Sequence, residues 1–559
     1  MQPSEGHIDP IPILIVGAGP AGLVLALTLV QNGVPVRVID KAPAPPVGQR
    51  GAGIMPRTLE IYEFLGVLPN ILRAGFMLPP CAQYDSPGIT KPAKQFDMVT
   101  VYDPTPDCPY LRGYTLGQDE VTRIMRSHLS RHGCEVEYGV GLVDFEQHPD
   151  AVTVHVSVQK DGDLVPGVIE ARWLVGADGG KGIVRKQLGL TFLGETRAED
   201  GLVIADVHIT GLSNDYWHMW GDVSTKWVTI RPTEKDGIFW SLSGGRQADY
   251  EKLASDPEAL RQFVREVSGR TDFELGEFVT LNSFRPNIRM VNKFGEGRVF
   301  FNLAWKLALV HKSLAPASLL GTYTSERLPV IAQMLNKTTQ LLDRAVEAAA
   351  TKRDIPPEHL QDEGANPWVR GKVFFQLGVN YRWSEIVVDE EAEGRWVSVR
   401  EAYGAATGAG GARVYAGDRA PDAPFLADLK AGVDISPVGP GTKRLFDLFK
   451  PTHHTVLVFS SAVEEVLDVL EELPPLVTRS VVVFPTRTAV ERLQPRETWD
   501  GVHHVVKDCF GYAYKHYSAE KGRRKVVIVR PDGVVGAIVG GVEGVKRYFI
   551  GVFGSGLAD

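Results

Sequence analysis

The sequence predicts an α/β protein in three parts: a unit built on a parallel sheet, an antiparallel sheet that interrupts it, and a smaller α/β unit toward the C-terminal end. Three observations carry this. A strand, a glycine-rich turn, a helix and a second strand follow one another within residues 11–40. Between residues 191 and 280 the hydrophobic period changes to strand-like alternation. A featureless run of small residues at 404–412 then precedes a fresh strand–helix–strand pattern. At 559 residues the chain has room for three or four domains of ~100–200 residues each.

Composition narrows the class. With 44% hydrophobic and 23% charged residues the chain is an ordinary globular one. A net charge of -8 provides no basic face for nucleic acid. Cys81, Cys108, Cys134 and Cys509 form no C-x-x-C pair and are too few for a disulfide framework, which predicts a reduced, cytoplasmic protein. The first ten residues carry no basic n-region, and the apolar run at 23–30 falls short of the ~20 residues a membrane span needs. The 58 glycines are in excess of the usual ~7% and mark places where backbone turns sharply or approaches something closely.

Taken in order, residues 11–16 are a short apolar run suited to a buried parallel strand. Gly17-Ala18-Gly19-Pro20-Ala21-Gly22 follows, then a helix over 23–31 ended by Asn32-Gly33, then a strand over 34–39 that finishes at Asp40. This is a Rossmann-like βαβ unit, with G-x-G-x-x-G in its first turn and an acidic residue eighteen positions beyond the last glycine. Gly17 permits the tight turn, Gly19 leaves room for a pyrophosphate, and Gly22 lets helix and strand close up. The helix N-terminus favours phosphate, and Asp40 is placed to accept hydrogen bonds from an adenosine ribose. An amphipathic helix is predicted over 118–132, with Val121, Ile124, Met125 and Leu129 on one face. A second turn of the same style, Gly176-Ala177-Asp178-Gly179-Gly180, follows an apolar strand and precedes a basic helix start; alone it reads equally as a structural turn, hairpin or capped helix, or as a second functional one.

The sheet over 191–280 carries Trp217, Trp220, Trp227, Phe239 and Trp240, which are either a packed face or the wall of a site for a flat apolar ligand. Helices return after Asn302, one of them over 319–336. Beyond the linker come a strand at 455–459, a helix at 462–473 and a strand at 480–484. A hairpin of 525–530 and 534–539, turned by Asp532-Gly533, leads to a last helix over 544–552. The basic cluster at 521–525 reads as an edge guard rather than a binding patch.

Together these motifs resemble the flavoprotein aromatic hydroxylases of the phenol and 3-(3-hydroxyphenyl)propionate type, over nearly the whole chain. The resemblance implies a Rossmann-like FAD-binding domain over 1–190 and 284–403, interrupted by an antiparallel-sheet substrate domain over 191–283. A linker at 404–416 and a thioredoxin-like α/β domain over 417–559 complete it. It implies FAD and NADPH as cofactors, and hydroxylation of a small phenolic substrate by dioxygen through a flavin C4a-hydroperoxide. Gly17, Gly19, Pro20, Ala21 and Gly22, with Asp40 and Lys41, match the adenine-dinucleotide site. The segment from Gly48-Gln49-Arg50 to Glu60 resembles the stretch beside the flavin, with Arg50 as the flavin contact. Gln118 resembles the family's glutamine that touches the cofactor, and Asp178 with Gly179 resembles its Asp-Gly motif, which serves FAD and NADPH. Ser460 and Ser461 stand where a thioredoxin-like domain would carry cysteines, which excludes disulfide chemistry there and leaves packing or a homodimer role.

Two departures from the family pattern matter. Phe301 joins Asn302 directly, whereas the resemblance calls for a Gly-Asp motif and a proline- and glycine-rich loop that cradles the isoalloxazine ring. Connections between strand and helix commonly take ~2–6 residues, so this join points to an excised or wrongly joined segment. Ala52 stands where phenol hydroxylases place an aspartate to deprotonate the substrate. Either the substrate is more acidic than an ordinary phenol, or another group assists; Arg285 or Arg289 could hold a phenolate or carboxylate, although an ordinary surface arginine is the readier reading of each. The expectation is therefore an FAD-dependent aromatic monooxygenase, with a flavin-free, non-redox or ligand-binding descendant as the alternative. An ordinary NAD(P)-linked dehydrogenase would need a His, Tyr-Lys or metal constellation that the sequence lacks.

Overall fold

The computed structural model describes residues 10–196, 201–285, 287–301, 304–351, 355–392, 402–404, 413–430, 442–460, 462–486, 499 and 501–555. The first unit runs β1 (Ile11–Val16), α1 (Pro20–Gln31), β2 (Val36–Asp40), α2 (Pro56–Phe64), α3 (Gln118–Ser130), β3 (Val136–Tyr138), β4 (Asp163–Gly176) and α4 (Ile183–Gln187). Ile13, Leu14 and Ile15 are fully buried, as a strand covered on both faces requires. β1 is parallel to β2 on one side and to β4 on the other. The chain first steps outward from β1 to β2 and β3, then returns to β4 beyond the other edge of β1. The boundary between β1 and β4 is thus the topological switch point, where a crevice opens at the carboxyl ends of the strands.

The second unit is a seven-stranded sheet. It contains β5 (Leu202–Thr210), β6 (Trp217–Gly221), β7 (Trp227–Pro232), β8 (Ile238–Gly244) and, after helix α5 (Pro257–Ser268), β9 (Glu274–Phe284). Two strands come from much earlier in the chain: Cys81–Tyr84 lies parallel to β6, and Lys94–Phe96 forms the edge. The sheet therefore takes in residues that reading by chain order leaves in the first unit. Strand alternation gives it two faces. Trp220, Val228, Ile230 and Phe239 point to one side and bury Leu260, Phe263 and Val264 of α5. Truncating a buried aromatic such as Phe263 to alanine would cost ~3–5 kcal/mol.

β10 (Val299–Phe300) returns to the first sheet parallel to β4, and is followed by α6 (Ala304–His311) and the long α7 (Ser318–Ala350). The latter runs well past the predicted end at 336 and contains Pro329.

The third unit holds β11 (His454–Val458), α8 (Glu464–Glu471), β12 (Thr478–Phe484), β13 (Val526–Val529), β14 (Val535–Val539) and α9 (Val542–Phe553). β11 and β12 are parallel, joined through α8, while β13 and β14 form an antiparallel hairpin on the other side of β11. Val388–Asp389 adds an edge strand beside β14. The unit packs on α2, where Phe64 meets Phe446 edge-on at 5.1 Å and Glu60 pairs with the buried Arg419 at 2.9 Å. Residues 405–412 of the predicted linker, and Ser461, lie outside the described residues. No described helix is long and apolar enough to cross a membrane, and the described residues hold no cluster of metal-ligating side chains.

Candidate active site

The glycine turn after β1 sits at the switch point as its sequence requires. Gly17 has φ +110°, and a Cβ there would lie 2.3 Å from the Ala177 carbonyl oxygen. A Cβ on Gly22 would lie 2.0 Å from the Gly17 oxygen, so this glycine is fixed by close packing of helix and turn. Gly19 is different: a Cβ there meets nothing within 4 Å. The space above it is open, and Pro20 starts α1. The first intrahelical bond runs from Leu23 N–H to the Gly19 oxygen (3.0 Å), so the N–H groups of Ala21 and Gly22 are left at the helix end, facing this space. The turn is thus a cradle for the phosphates of a dinucleotide.

Asp40, at the end of β2, accepts from Ala18 N–H through Oδ2 (2.8 Å) and from Ala42 N–H through Oδ1 (2.9 Å). Its first task is to hold the turn, with lone pairs left for a ribose. Lys41 beside it is exposed. Asp178 is committed differently from the expectation: its Oδ2 accepts from Ile183 and Val184 N–H (2.6 and 3.2 Å), capping α4. Gly179, with φ +78°, makes the turn that allows it. The Gly176–Gly182 turn nevertheless lies against the first one, because Ala177 is the residue that Gly17 touches.

Arg50 and Gln118 are brought together by a network that sequence spacing does not reveal. Gln118 N–H donates to the Gln49 carbonyl (3.0 Å), while Gln49 N–H donates to Asp206 of β5 (2.7 Å). Gly48 N–H donates to Asp119 (3.2 Å), whose carboxylate also pairs with Lys235 at 2.6 Å. Loop 48–50 is so pinned between α3 and the second sheet, and Arg50 holds a left-handed φ of 44° that projects it from the loop. Burial raises the Asp206 carboxyl above its ordinary range, while hydrogen bonds from Gln49 and Thr280 oppose that rise.

Next to this loop is a cavity of about 230 Å³ between residues 50–55 and the second sheet. Its sheet wall comes from alternate residues: Trp217 and Met219 of β6, Trp227, Thr229 and Arg231 of β7, Trp240 and Leu242 of β8. Trp368 and Arg370 close it, and Ala52 lines the floor. Of the five aromatics the sequence singled out, Trp217, Trp227 and Trp240 wall the cavity, while Trp220 and Phe239 belong to the packed face. Arg231 is 2% exposed and lies over the Trp240 ring at 4.6 Å. Desolvation pulls its pKa down to about 10. Its guanidinium donates to Pro232 oxygen (2.9 Å) and to Gln49 Oε1 (3.4 Å).

Arg285 and Arg289, weighed as anion holders but read more readily as surface residues, do not line this cavity. Arg285 pairs with Glu251 on the surface, and Arg289 donates to the Phe192 carbonyl at 3.3 Å. Arg231 and Arg370 are the arginines that line it, together with Arg50. The W-x-T-x-R alternation at 227–231 was the available signal.

At the short join, β10 ends at Phe300 and α6 begins at Ala304. Asn302, the far side of the join, lies outside the described residues. The residues present fit the dinucleotide half of FAD. On the ring side, Gln118 and the 48–53 loop lie together, and only residues 301–303 separate β10 from α6, where the resemblance calls for a further loop.

The sequence matches the family described as FAD binding domain over residues 10–301 and 300–338, two segments that meet at this join. It is 32% identical over 500 residues to a flavin-dependent monooxygenase of Mycobacteroides abscessus, covering 83% of this chain and 92% of that protein. It is 25% identical over 577 residues to pentachlorophenol 4-monooxygenase of Sphingobium chlorophenolicum, covering 96% and 95%. In fold it is similar to the flavin-dependent monooxygenase PieE in complex with FAD and substrate, with a TM-score of 0.76 at 18% identity over 98% of this chain and 99% of that one. A ternary complex of aklavinone-11 hydroxylase with FAD and aklavinone gives 0.70 at 20% identity over 97% and 99%.

Proposed function

This chain belongs to the FAD-binding-domain family and is a flavin-dependent aromatic monooxygenase, and on that premise we propose that it uses NADPH and dioxygen to hydroxylate a phenolic ring held in the tryptophan-lined cavity. The observation that carries the reading is the placement of that cavity directly against the Arg50–Gly53 stretch, on the ring side of the site. A phenol is the substrate named for the Sphingobium relative, which supports the same class for this chain. The flavin-free alternative is not favoured, because the family match spans both sides of the short join and the phosphate cradle is intact.

FAD supplies, when bound, the redox-active ring that accepts reducing equivalents and delivers oxygen. The protein's share is positional. Gly19 and the N-terminus of α1 would receive the pyrophosphate, and Asp40 the ribose. Gln118 and Arg50 fix the edge of the ring site through the pinned loop. Met55, Leu78, Met98 and Leu242 keep water from the substrate, and the tryptophans orient a flat ring. Among the described residues no Asp, Glu, His or Tyr lines the cavity, so none of these takes the phenolic proton there.

The test is NADPH consumption in air by the FAD-loaded protein, with and without a phenol, together with the mass of the aromatic product. Phenol-stimulated consumption and a product one oxygen heavier are expected. Consumption indifferent to every phenol tried, with no oxygenated product, would overturn the proposal.

A further inference from the structure

The cavity offers donors and no charged acceptor. Arg231 and Arg370 line it, Arg50 stands at its mouth, and the buried indole N–H groups of Trp217 and Trp240 have no hydrogen-bond partner among the described residues. Thr229 is spent on the His218 carbonyl (2.9 Å). A buried guanidinium without a carboxylate costs free energy that a fold ordinarily avoids by pairing it. Arg231 is not paired although acids are near. Gln49 stands between: its Oε1 accepts from Arg231, and its Nε2 donates to both oxygens of Glu234 (2.9 and 2.8 Å).

The other groups facing these arginines are accounted for. Asp206 is held by Gln49 N–H and by the Thr280 hydroxyl (3.0 Å), behind the loop and away from the cavity lining. Asp119 pairs with Lys235. Near Arg370, burial pushes the Cys81 thiol up to about 12, so it stays neutral, and the half-buried Asp97 carboxyl is raised by desolvation. The charged side chains that line the cavity are therefore all cations, with Glu234 and Asp206 set behind Gln49, and an anionic ligand can balance them.

Resting on the function proposed above, we propose that the substrate is bound as an aryl anion, an acidic phenol held as its phenolate with a second acceptor oxygen, and that Arg231 and Arg370 set this specificity. The phenol gives its proton to solvent water or buffer before it is enclosed; no covalent bond changes in this step. Ala52 then needs no aspartate in its place, because the arginines lower the phenol's pKa instead of a base removing its proton. The indole N–H groups of Trp217 and Trp240 are satisfied by the second oxygen.

The probe is 4-nitrophenol, whose anion and neutral form differ in visible absorption, and the control is 4-nitroanisole, of similar shape and unable to ionise. Both are titrated into the full-length protein below the free phenol's pKa. The expected result is that bound nitrophenol shows the anion band, with its apparent pKa lowered by about one to three pH units. Arg231→Met should weaken nitrophenol binding about 10- to 100-fold and leave nitroanisole binding unchanged, with Arg231→Lys partly restoring it. Arg370→Gln gives an independent reading on a separate element. Nitrophenol bound in its neutral form, or bound equally by the wild type and both arginine variants, would overturn the charge assignment while leaving the aromatic site intact. Failure of both compounds to bind would overturn the cavity as the substrate site, and this proposal with it.

Discussion

Two cavities in this molecule are walled by arginine and tryptophan, and they treat charge in opposite ways. The larger, about 330 Å³, lies between α1, α2, α6 and α7 and the hairpin turn at Asp532. There Lys306 pairs with Glu326 (2.8 Å), Arg530 pairs with Glu326 (2.8 Å) and Asp532 (2.6 Å), and Arg57 pairs with Glu60 (2.7 Å). Arg327 is spent on the Tyr381 hydroxyl at 2.7 Å. In the smaller cavity Arg231 is as deeply buried but faces tryptophan rings and an amide. The first arrangement joins the C-terminal unit to the rest of the chain. The second leaves a buried charge with no carboxylate paired to it among the described residues.

The difference can be broken or sharpened by substitution, and the largest effect belongs to the paired cluster. Glu326→Gln leaves Lys306 and Arg530 buried without their shared carboxylate and should cost about 3–5 kcal/mol, seen as a marked fall in the thermal midpoint. An unchanged midpoint would mean that these pairs do not join the units.

The pH dependence follows with a definite sign. The cations hold the Glu326 carboxyl down to about 2, so its stabilisation is present above the ordinary carboxylate range and is lost as pH falls through about 2. His454, packed edge-on against Trp305 at 5.5 Å, is pushed by burial down to about 3. The unfolded chain then binds a proton that the fold refuses. Stability should fall by ~1.4 kcal/mol per pH unit on acidification from the ordinary histidine range toward that value. Unfolding measured across this window should be visibly flatter in His454→Leu; identical slopes would contradict the assignment.

A smaller loss is expected for Trp305→Phe, which removes the indole donor to Asp532 (3.2 Å) and should cost about 0.5–1.5 kcal/mol in chemical unfolding. Smallest of all is Arg231→Met. Replacing an unpaired buried cation by an apolar chain of similar length should leave the midpoint unchanged or slightly higher, while anion binding weakens. A large destabilisation there would show that Arg231 is structural after all.

How much of this was legible in the sequence depends on how local each feature is. The βαβ unit, its glycines and Asp40 lie within thirty consecutive residues and obey one periodicity, so element order and turn chemistry could be read directly. The same holds for the C-terminal strands and hairpin, shifted by a residue or two. The cavity was legible only as an ambiguity. Trp217, Trp227 and Trp240 differ from Trp220 and Phe239 by strand parity, which needs the register to resolve. Arg370 approaches from far beyond Phe284, where the last strand of the sheet ends, and Gln49 separates Arg231 from Glu234 by a contact across 182 positions. Asp178 was ambiguous for a physical reason: an Asp followed by a helix start serves equally as a cap and as a ligand, and the cap is the contact seen here.

The central claim is that the turn at Gly17–Gly22 still holds FAD although the join between β10 and α6 is short. It is tested most directly by incubating the protein with FAD, removing free flavin by gel filtration and recording the visible spectrum, beside Gly19→Val. That substitution enters open space and should leave the fold intact while filling the phosphate cradle. The account predicts a yellow wild-type protein with one flavin per chain and a colourless, folded variant. A colourless wild type, or equal flavin content in both, would contradict it.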